Sequence, residues 1–417
     1  SFQCSGKVSN INLAFNYQKK ADFNNSFFGE TLTAASWADQ LKGLADEAYE
    51  NSDILYGHSD TYFSTLYYLA ETSGLYDEEI EKTTADPNST LSVSRGSLDA
   101  YEFNVSTNID NRYFFGLTLG LDDVDFLRTT DYWEQRTDKS GNIQDFGYAN
   151  EQRITGTGFN FKFGAIVRPF ANSPFRVGVT VETPTWYRLK YVDDQYLTTK
   201  YYWDDKEKVA VYDPAPKSYY KHYVYDLSNS YINYLEYLLT SPWKFRAQMG
   251  STISTCFAWG VEYEFASYSC TSTRYPSEYG GTTLDQDLSD VTATMFLPQH
   301  TLRAGLEFKP ISSLALRAGY NYISSTTSPD SDWDPYYCDS SVSYPTGLDY
   351  MNLSDTHIVT FGLGYRYKML YADLAYKYRI QKGDYYAFNS YYSNVPMAPV
   401  PVDLSTHSIT ATIGVRF

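Results

Sequence analysis

Twelve segments of the chain alternate apolar and polar residues with a period of two, and this constrains the fold more than any other feature. The stretch "SNINLAFNYQ" sets Ile11, Leu13, Phe15 and Tyr17 opposite Asn10, Asn12 and Asn16. "DAYEFNVSTN" does the same with Tyr101, Phe103 and Val105. The pattern returns in "NRYFFGLTLGLDD", "RITGTGFNFKFGAIV", "FRVGVTVETPTWYRLKY", "SPWKFRAQMG", "WGVEYEFASYS", "HTLRAGLEFK", "LALRAGYNYIS", "HIVTFGLGYRYK" and "YADLAYKYRI". The last case, "THSITATIGVRF", ends the chain. There His407, Ile409, Ala411, Ile413, Val415 and Phe417 share a face opposite Ser408, Thr410, Thr412, Gly414 and Arg416. Twelve such strands in succession predict an all-β, antiparallel up-and-down fold.

The connections sort by length. Short ones are "NIDNR", "RPFANSP", "STISTC", "KPISS" and "YKML". Between them lie longer ones, roughly 22–96, 137–147, 191–225, 271–297, 326–354 and 382–404. Short turns at one end and long loops at the other are the pattern of a transmembrane barrel, which crosses a bilayer with only ~9–11 residues per strand. Closure removes free sheet edges, so the last strand is expected to pair with the first. A single barrel domain over 1–417 is expected, with 22–96 as a long external loop. Helical spacing in "TAASWADQLKGLADEAY" and "TYFSTLYYLAETSGLY" predicts two short amphipathic helices there. They either cap the barrel mouth or line an apolar groove. On the second reading Trp37, Leu41, Leu44, Phe63, Leu66 and Tyr67 are the candidate ligand-binding residues.

Composition supports a membrane setting. Aromatics make up 18% of the 417 residues and tyrosine alone occurs 43 times, more than a soluble core needs and suited to a membrane–water boundary. No apolar run reaches the ~18 residues of a transmembrane helix. The net charge of −17 argues against nucleic acid as a partner. Cys4, Cys256, Cys270 and Cys338 show no metal spacing, and Cys256 and Cys270 fall at opposite ends of one strand, too far apart to bond. The opening "SFQCSG" is neither a signal peptide nor a lipid-attachment sequence, and a longer precursor is expected.

The face opposite the apolar one should line the lumen. It carries Gly305, Gly319, Gly362, Gly364 and Gly414, with Arg303, Glu307, Arg317, Arg366, Asp373, Lys377, Arg379 and Arg416. These charges either pair with one another as a structural lining or dock a plug. His300, His357 and His407 stand at one height near the outer rim with lipid-facing parity, as members of an interfacial girdle or as contacts for lipopolysaccharide phosphates. Pro184 and Pro242 lie at similar heights in consecutive strands, beside Trp186 and Trp243. Proline cannot donate to a ladder, so a bulge or kink is expected there. It would either shape the barrel or narrow the lumen. No G-x-S-x-G, H-E-x-x-H, Walker loop or C-x-x-C occurs, so no enzyme, cofactor or metal is expected, although His58 and His222 lie in loops.

Read in order, "NINLAFNYQKKADFNNSF", "RGSLDAYEFNVSTNIDNRYFFGLTLGL", "VETPTWYRLK", "SPWKFRAQMGSTI", "LRAGLEFKPISSLALRAGYNY" and "FGLGYRYKMLYADLAYKY" resemble the FadL/TodX-type outer-membrane transporters of hydrophobic compounds, in a Bacteroidetes-like version. The resemblance implies fourteen strands and an N-terminal plug. Two strands and the plug would then lie upstream of Ser1. It also implies passive movement of small hydrophobic compounds such as long-chain fatty acids into the barrel and sideways into the membrane. Capture at the loop helices, passage through an aromatic-lined interior and release after plug movement would be the steps. The partners would be outer-membrane lipids, lipopolysaccharide and apolar solutes. The alternatives are a structural barrel subunit of a larger assembly with other outer-membrane proteins, and a hydrophilic porin.

Overall fold

The computed structural model describes residues 2–3, 8–33, 35–37, 86–137, 143–204, 206, 209–222, 225–227, 230–232, 235–277, 280–327, 349–388 and 397–415. The early strands are β1 (Phe2–Gln3), β2 (Val8–Asp22), β3 (Asn25–Thr33), β4 (Asp86–Ile109), β5 (Tyr113–Thr137) and β6 (Ile143–Val167). Next come β7 (Arg176–Glu182), β8 (Trp186–Asp204), β9 (Val209–His222), β10 (Tyr225–Leu227), β11 (Ser230–Ile232), β12 (Leu235–Thr240), β13 (Lys244–Ile253) and β14 (Phe257–Ser267). After a 3₁₀ turn at Tyr268–Cys270 follow β15 (Ser272–Pro276), β16 (Thr282–Leu284) and helix α1 (Gln286–Met295). The chain finishes with β17 (Pro298–Ile311), β18 (Leu314–Ile323), β19 (Tyr350–Tyr367), β20 (Leu370–Tyr386) and β21 (Val400–Val415).

These elements make twelve antiparallel passes. β2 and β3 both pair with β4 and count as one broken strand. So do β7 with β8, and β12 with β13. The turn from β4 to β5 is tight: Asp110 and Asn111 take left-handed φ of 52° and 51°, and the Arg112 N–H donates to Ile109 O at 3.0 Å.

Side-chain contacts show that the sheet curls into a barrel wall. Arg128 on β5 bonds Asp349, the residue before β19, at 2.6 Å. Laid flat, those strands would be roughly 30 Å apart. Phe27 on β3 lies 4.3 Å, ring to ring, from Tyr385 on β20, strands that a flat sheet would hold roughly 50 Å apart. The expected ladder between the last strand and the first does not occur among the described residues. There β21 pairs with β20 alone and the outer edge of β2 meets only Phe2–Gln3. The ends of the wall meet through side chains at the long-loop end instead.

Apolar residues face outward. Leu13, Phe15, Phe103, Leu117, Phe163, Val179, Phe245, Leu306, Phe361 and Ile409 are all exposed, as a bilayer-facing band requires. No helix among the described residues is long and apolar enough to cross a membrane. The chain is thus an all-β transmembrane barrel of antiparallel strands.

The expected loop boundaries need correction. β5 and β6 each run 25 residues, far more than a bilayer crossing needs, and only 138–142 separates them. β3 and the start of β4 occupy part of the expected loop 22–96, and β8 and β9 occupy much of 191–225. Beyond the membrane both faces of a strand can be wet, so alternation fades while the ladder continues. Helix α1, inside 271–297, had no periodic signal to announce it; the Asp285 side chain caps it by accepting from the Leu288 N–H.

Candidate functional site: an aromatic chamber above a polar lumen

The long-loop end is closed by a buried aromatic cluster. Tyr132, Phe146, Tyr148 and Leu197 point inward from β5, β6 and β8, and meet Tyr385, Phe388 and Met397 from the far side of the barrel. Trp37 fills the space between. Its ring stacks 6.0 Å from Phe146 and sits 4.7 Å from Tyr148 and 6.3 Å from Tyr132. Its backbone N–H donates to Glu134 at 3.0 Å, and the Tyr132 hydroxyl donates to the same carboxylate oxygen at 2.7 Å. Burial, with the Glu134 carboxylate beside it, pushes the Tyr132 phenol well above its ordinary range. Burial and the neighbouring Asp349 likewise raise Tyr385. Both phenols therefore stay protonated, and the chamber is largely apolar, with the Tyr132 hydroxyl held by Glu134.

Of the six candidate ligand residues, Trp37 lies in this chamber; Leu41, Leu44, Phe63, Leu66 and Tyr67 lie outside the described residues, as do both predicted loop helices. The other chamber residues were missed. They alternate with outward ones, as Tyr132 does with Trp133, but nothing local shows that β5 and β20 meet.

Below the chamber the inner wall is mainly charged, with few of the expected aromatics among the described residues: Tyr187 donates to the buried Asp122 at 2.9 Å, and Tyr371 lies against Gly414. Lys162 bonds Glu102 at 2.6 Å and approaches Glu182 at 3.9 Å. Arg246 joins Glu182 at 3.0 Å to Glu264, and Arg303 joins Glu264 at 3.0 Å to Glu262. Alternating charges thus run across β4, β6, β7, β13, β14 and β17. Glu307, Arg317 and Asp373 continue the lining, with Arg317 at 2.7 Å and 2.6 Å from the two carboxylates. Arg379 bonds Gln381, whereas Arg366 and Lys377 make no ion pair among the described residues, and Arg416 lies outside them. The neutralised pairs are those with a carboxylate one or two strands away, which a parity reading of single strands does not find.

Nearer the short turns the inner face is bare. Gly250 pairs with Gly260, Gly260 with Gly305, and Gly305 with Gly319, a row of four glycines straight across β13, β14, β17 and β18. A cavity of about 660 Å³ lies against this furrow, edged by Gln248, Glu262, Arg303 and Arg317.

Pro184 and Pro242 are buried in gaps of the ladder, between β7 and β8 and between β12 and β13. The 3₁₀ turn after β14 extends the break to a third neighbour. The gap is stitched by side chains. Thr185 N–H donates to the Ser241 hydroxyl at 2.8 Å, Ser241 N–H donates to Thr185 O at 3.1 Å, and Phe161 N–H donates to the Thr183 hydroxyl at 3.0 Å. Trp186 and Trp243 stand on the outward face, packed on Phe159 and Phe245, rather than in the lumen.

No family model matches the chain, and no curated protein matches its sequence. Solved structures do. The toluene transporter TodX of Pseudomonas putida aligns with 98% of this chain and 81% of its own, at 11% identity and a TM-score of 0.42. A FadL homologue from Pseudomonas aeruginosa aligns over 80% and 76%, at 11% identity and 0.44. The toluene transporter TbuX of Ralstonia pickettii aligns over 81% and 80%, at 7% identity and 0.39. The chain is similar in structure to hydrophobic-compound transporters of the FadL/TodX type.

Proposed function

We propose that this protein is an outer-membrane channel through which small hydrophobic compounds pass without energy input. The observation that carries the reading is the aromatic chamber at the long-loop end, where Trp37 occupies a box of rings assembled from both sides of the barrel. An apolar solute that displaces Trp37 would exchange water for aromatic contact, which favours capture. The bare furrow offers a path without side chains farther down, and the breaks at Pro184 and Pro242 lie in the wall between chamber and furrow. Long-chain fatty acids and compact aromatic hydrocarbons are the two substrate classes of suitable size and polarity.

The test is uptake of radiolabelled toluene and oleate by a bacterium whose outer membrane carries the protein. Gly305→Trp, which fills the furrow from an inward position, should cut entry of the true substrate to the empty-vector rate. Equal uptake by wild type, variant and vector would rule the reading out.

A second reading, a structural barrel within a larger outer-membrane assembly, is favoured by one observation: the ion pairs from Glu102 to Glu262 lock the wall into a fixed polar lining. Stoichiometric co-purification with other membrane proteins, together with no uptake, would support it.

A further inference from the structure

One arrangement on the outward face recurs three times. His300 on β17 faces Phe265 across the ladder, His357 on β19 faces Tyr322, and His407 on β21 faces Tyr378. In each case a tyrosine two residues nearer the short turns reaches the imidazole Nδ1: Tyr263 to His300 at 2.7 Å, Tyr320 to His357 and Tyr376 to His407 at 2.8 Å. Ring centroids of these bonded pairs are 6.1, 6.2 and 6.1 Å apart. The three histidines are exposed, and Nε2 has no partner among the described residues. They sit on alternate strands, roughly 10 Å apart along the wall.

We infer that these three pairs form a docking band for the phosphate groups of a phosphorylated glycolipid in the outer leaflet. The proposal rests on the outer-membrane reading above. In each pair the phenol is assigned as donor to Nδ1, which places the ring proton on Nε2. Each pair therefore presents one N–H donor outward, at the level where the apolar band ends. An N–H at that depth requires an acceptor. The net charge of −17 makes most of the molecule repel anions, and a row of oriented N–H donors is what this face offers one; Asp355, two residues from His357, is taken up by the Tyr322 hydroxyl and the Ser325 N–H. The tyrosines are positioning residues: they hold the rings and set the tautomer.

The test inserts purified protein into nanodiscs containing equal amounts of phosphorylated and enzymatically dephosphorylated lipopolysaccharide, and counts retained glycolipid by native mass spectrometry. Wild type should retain the phosphorylated form in about tenfold excess, the ratio that a single added hydrogen bond to a charged group supplies. The combined His300→Phe, His357→Phe and His407→Phe variant keeps an apolar ring at each site and should lose the preference. Tyr263→Phe, Tyr320→Phe and Tyr376→Phe together should weaken the preference while leaving the barrel's thermal melting unchanged. A histidine variant that keeps the full preference, or a wild type without one, overturns the inference. Failure of the wild type to enter a bilayer at all would instead overturn the outer-membrane reading.

Discussion

At the height where β7–β8, β12–β13 and β14 break, β17 and β21 run on uninterrupted, and outward histidines on β17, β19 and β21 are bonded by tyrosines on the preceding neighbours β14, β18 and β20. Both stretches meet the same demand, since backbone and side-chain polar groups near the membrane boundary must find partners. The broken stretch meets it with Ser241, Thr183 and Thr185, whose hydroxyls and amides replace missing ladder bonds. The more regular stretch keeps most of its ladder, apart from a register shift between Leu353 and Thr356 and the Ser324 hydroxyl that takes the His300 N–H, and places further polar chemistry on side chains directed outward. The difference separates where the wall can bend from where it can bind. Bending requires the ladder to be interrupted; a repeated docking geometry requires the ladder to be regular, because the same register recreates the same contact three times.

The largest expected effect lies just inside the broken stretch. Arg246 bridges Glu182, which is 3% exposed, to Glu264. Arg246→Met leaves Glu182 with Lys162 alone, at 3.9 Å, and Glu264 with Arg303 alone, and should cost about 3 kcal/mol of stability, the lower end for breaking a buried ion pair. Urea unfolding in lipid vesicles reads this out; the same loss from His357→Phe would erase the contrast between the two stretches.

The stitching itself comes next. Ser241→Ala leaves the Thr185 N–H unsatisfied and should cost about 1–3 kcal/mol. Hydrogen exchange should show faster exchange at Thr185 and none at Tyr320, whose strand is fully laddered.

The smallest effect is in the furrow. A Cβ on Gly305 would stand 4.0 Å from the nearest atom, the Ala318 carbonyl oxygen, whereas one on Gly250 would meet Trp259 O at 2.8 Å. Gly305→Ala should therefore be neutral or stabilise by about 0.5–1 kcal/mol, and Gly250→Ala should destabilise. Paired melting curves of the two variants check the sign.

How far the sequence carried the account follows from the same contrast. The twelve passes were legible because bilayer and lumen impose opposite demands on alternate residues, as at Leu13 and Asn12. The histidine parity was legible for the same reason. The outer extensions were not: in "TTDYWEQRT" of β5 polar residues fall on both faces, and the period dissolves. The chamber was illegible beyond Trp37, because Tyr132 and Tyr385 are 253 positions apart and only the curl of the wall joins them. The glycine row was half legible. Gly305 and Gly319 share a face by parity, but their alignment with Gly250 and Gly260 depends on register between strands.

The most direct test of the central claim, that the chamber and furrow serve apolar solutes, is mass spectrometry of organic extracts from protein purified in mild detergent, with a porin barrel as control. The account predicts enrichment of fatty acids or other apolar compounds over the control, and loss of that enrichment in Gly305→Trp. Extracts indistinguishable from the porin's would contradict it and favour the structural-subunit reading.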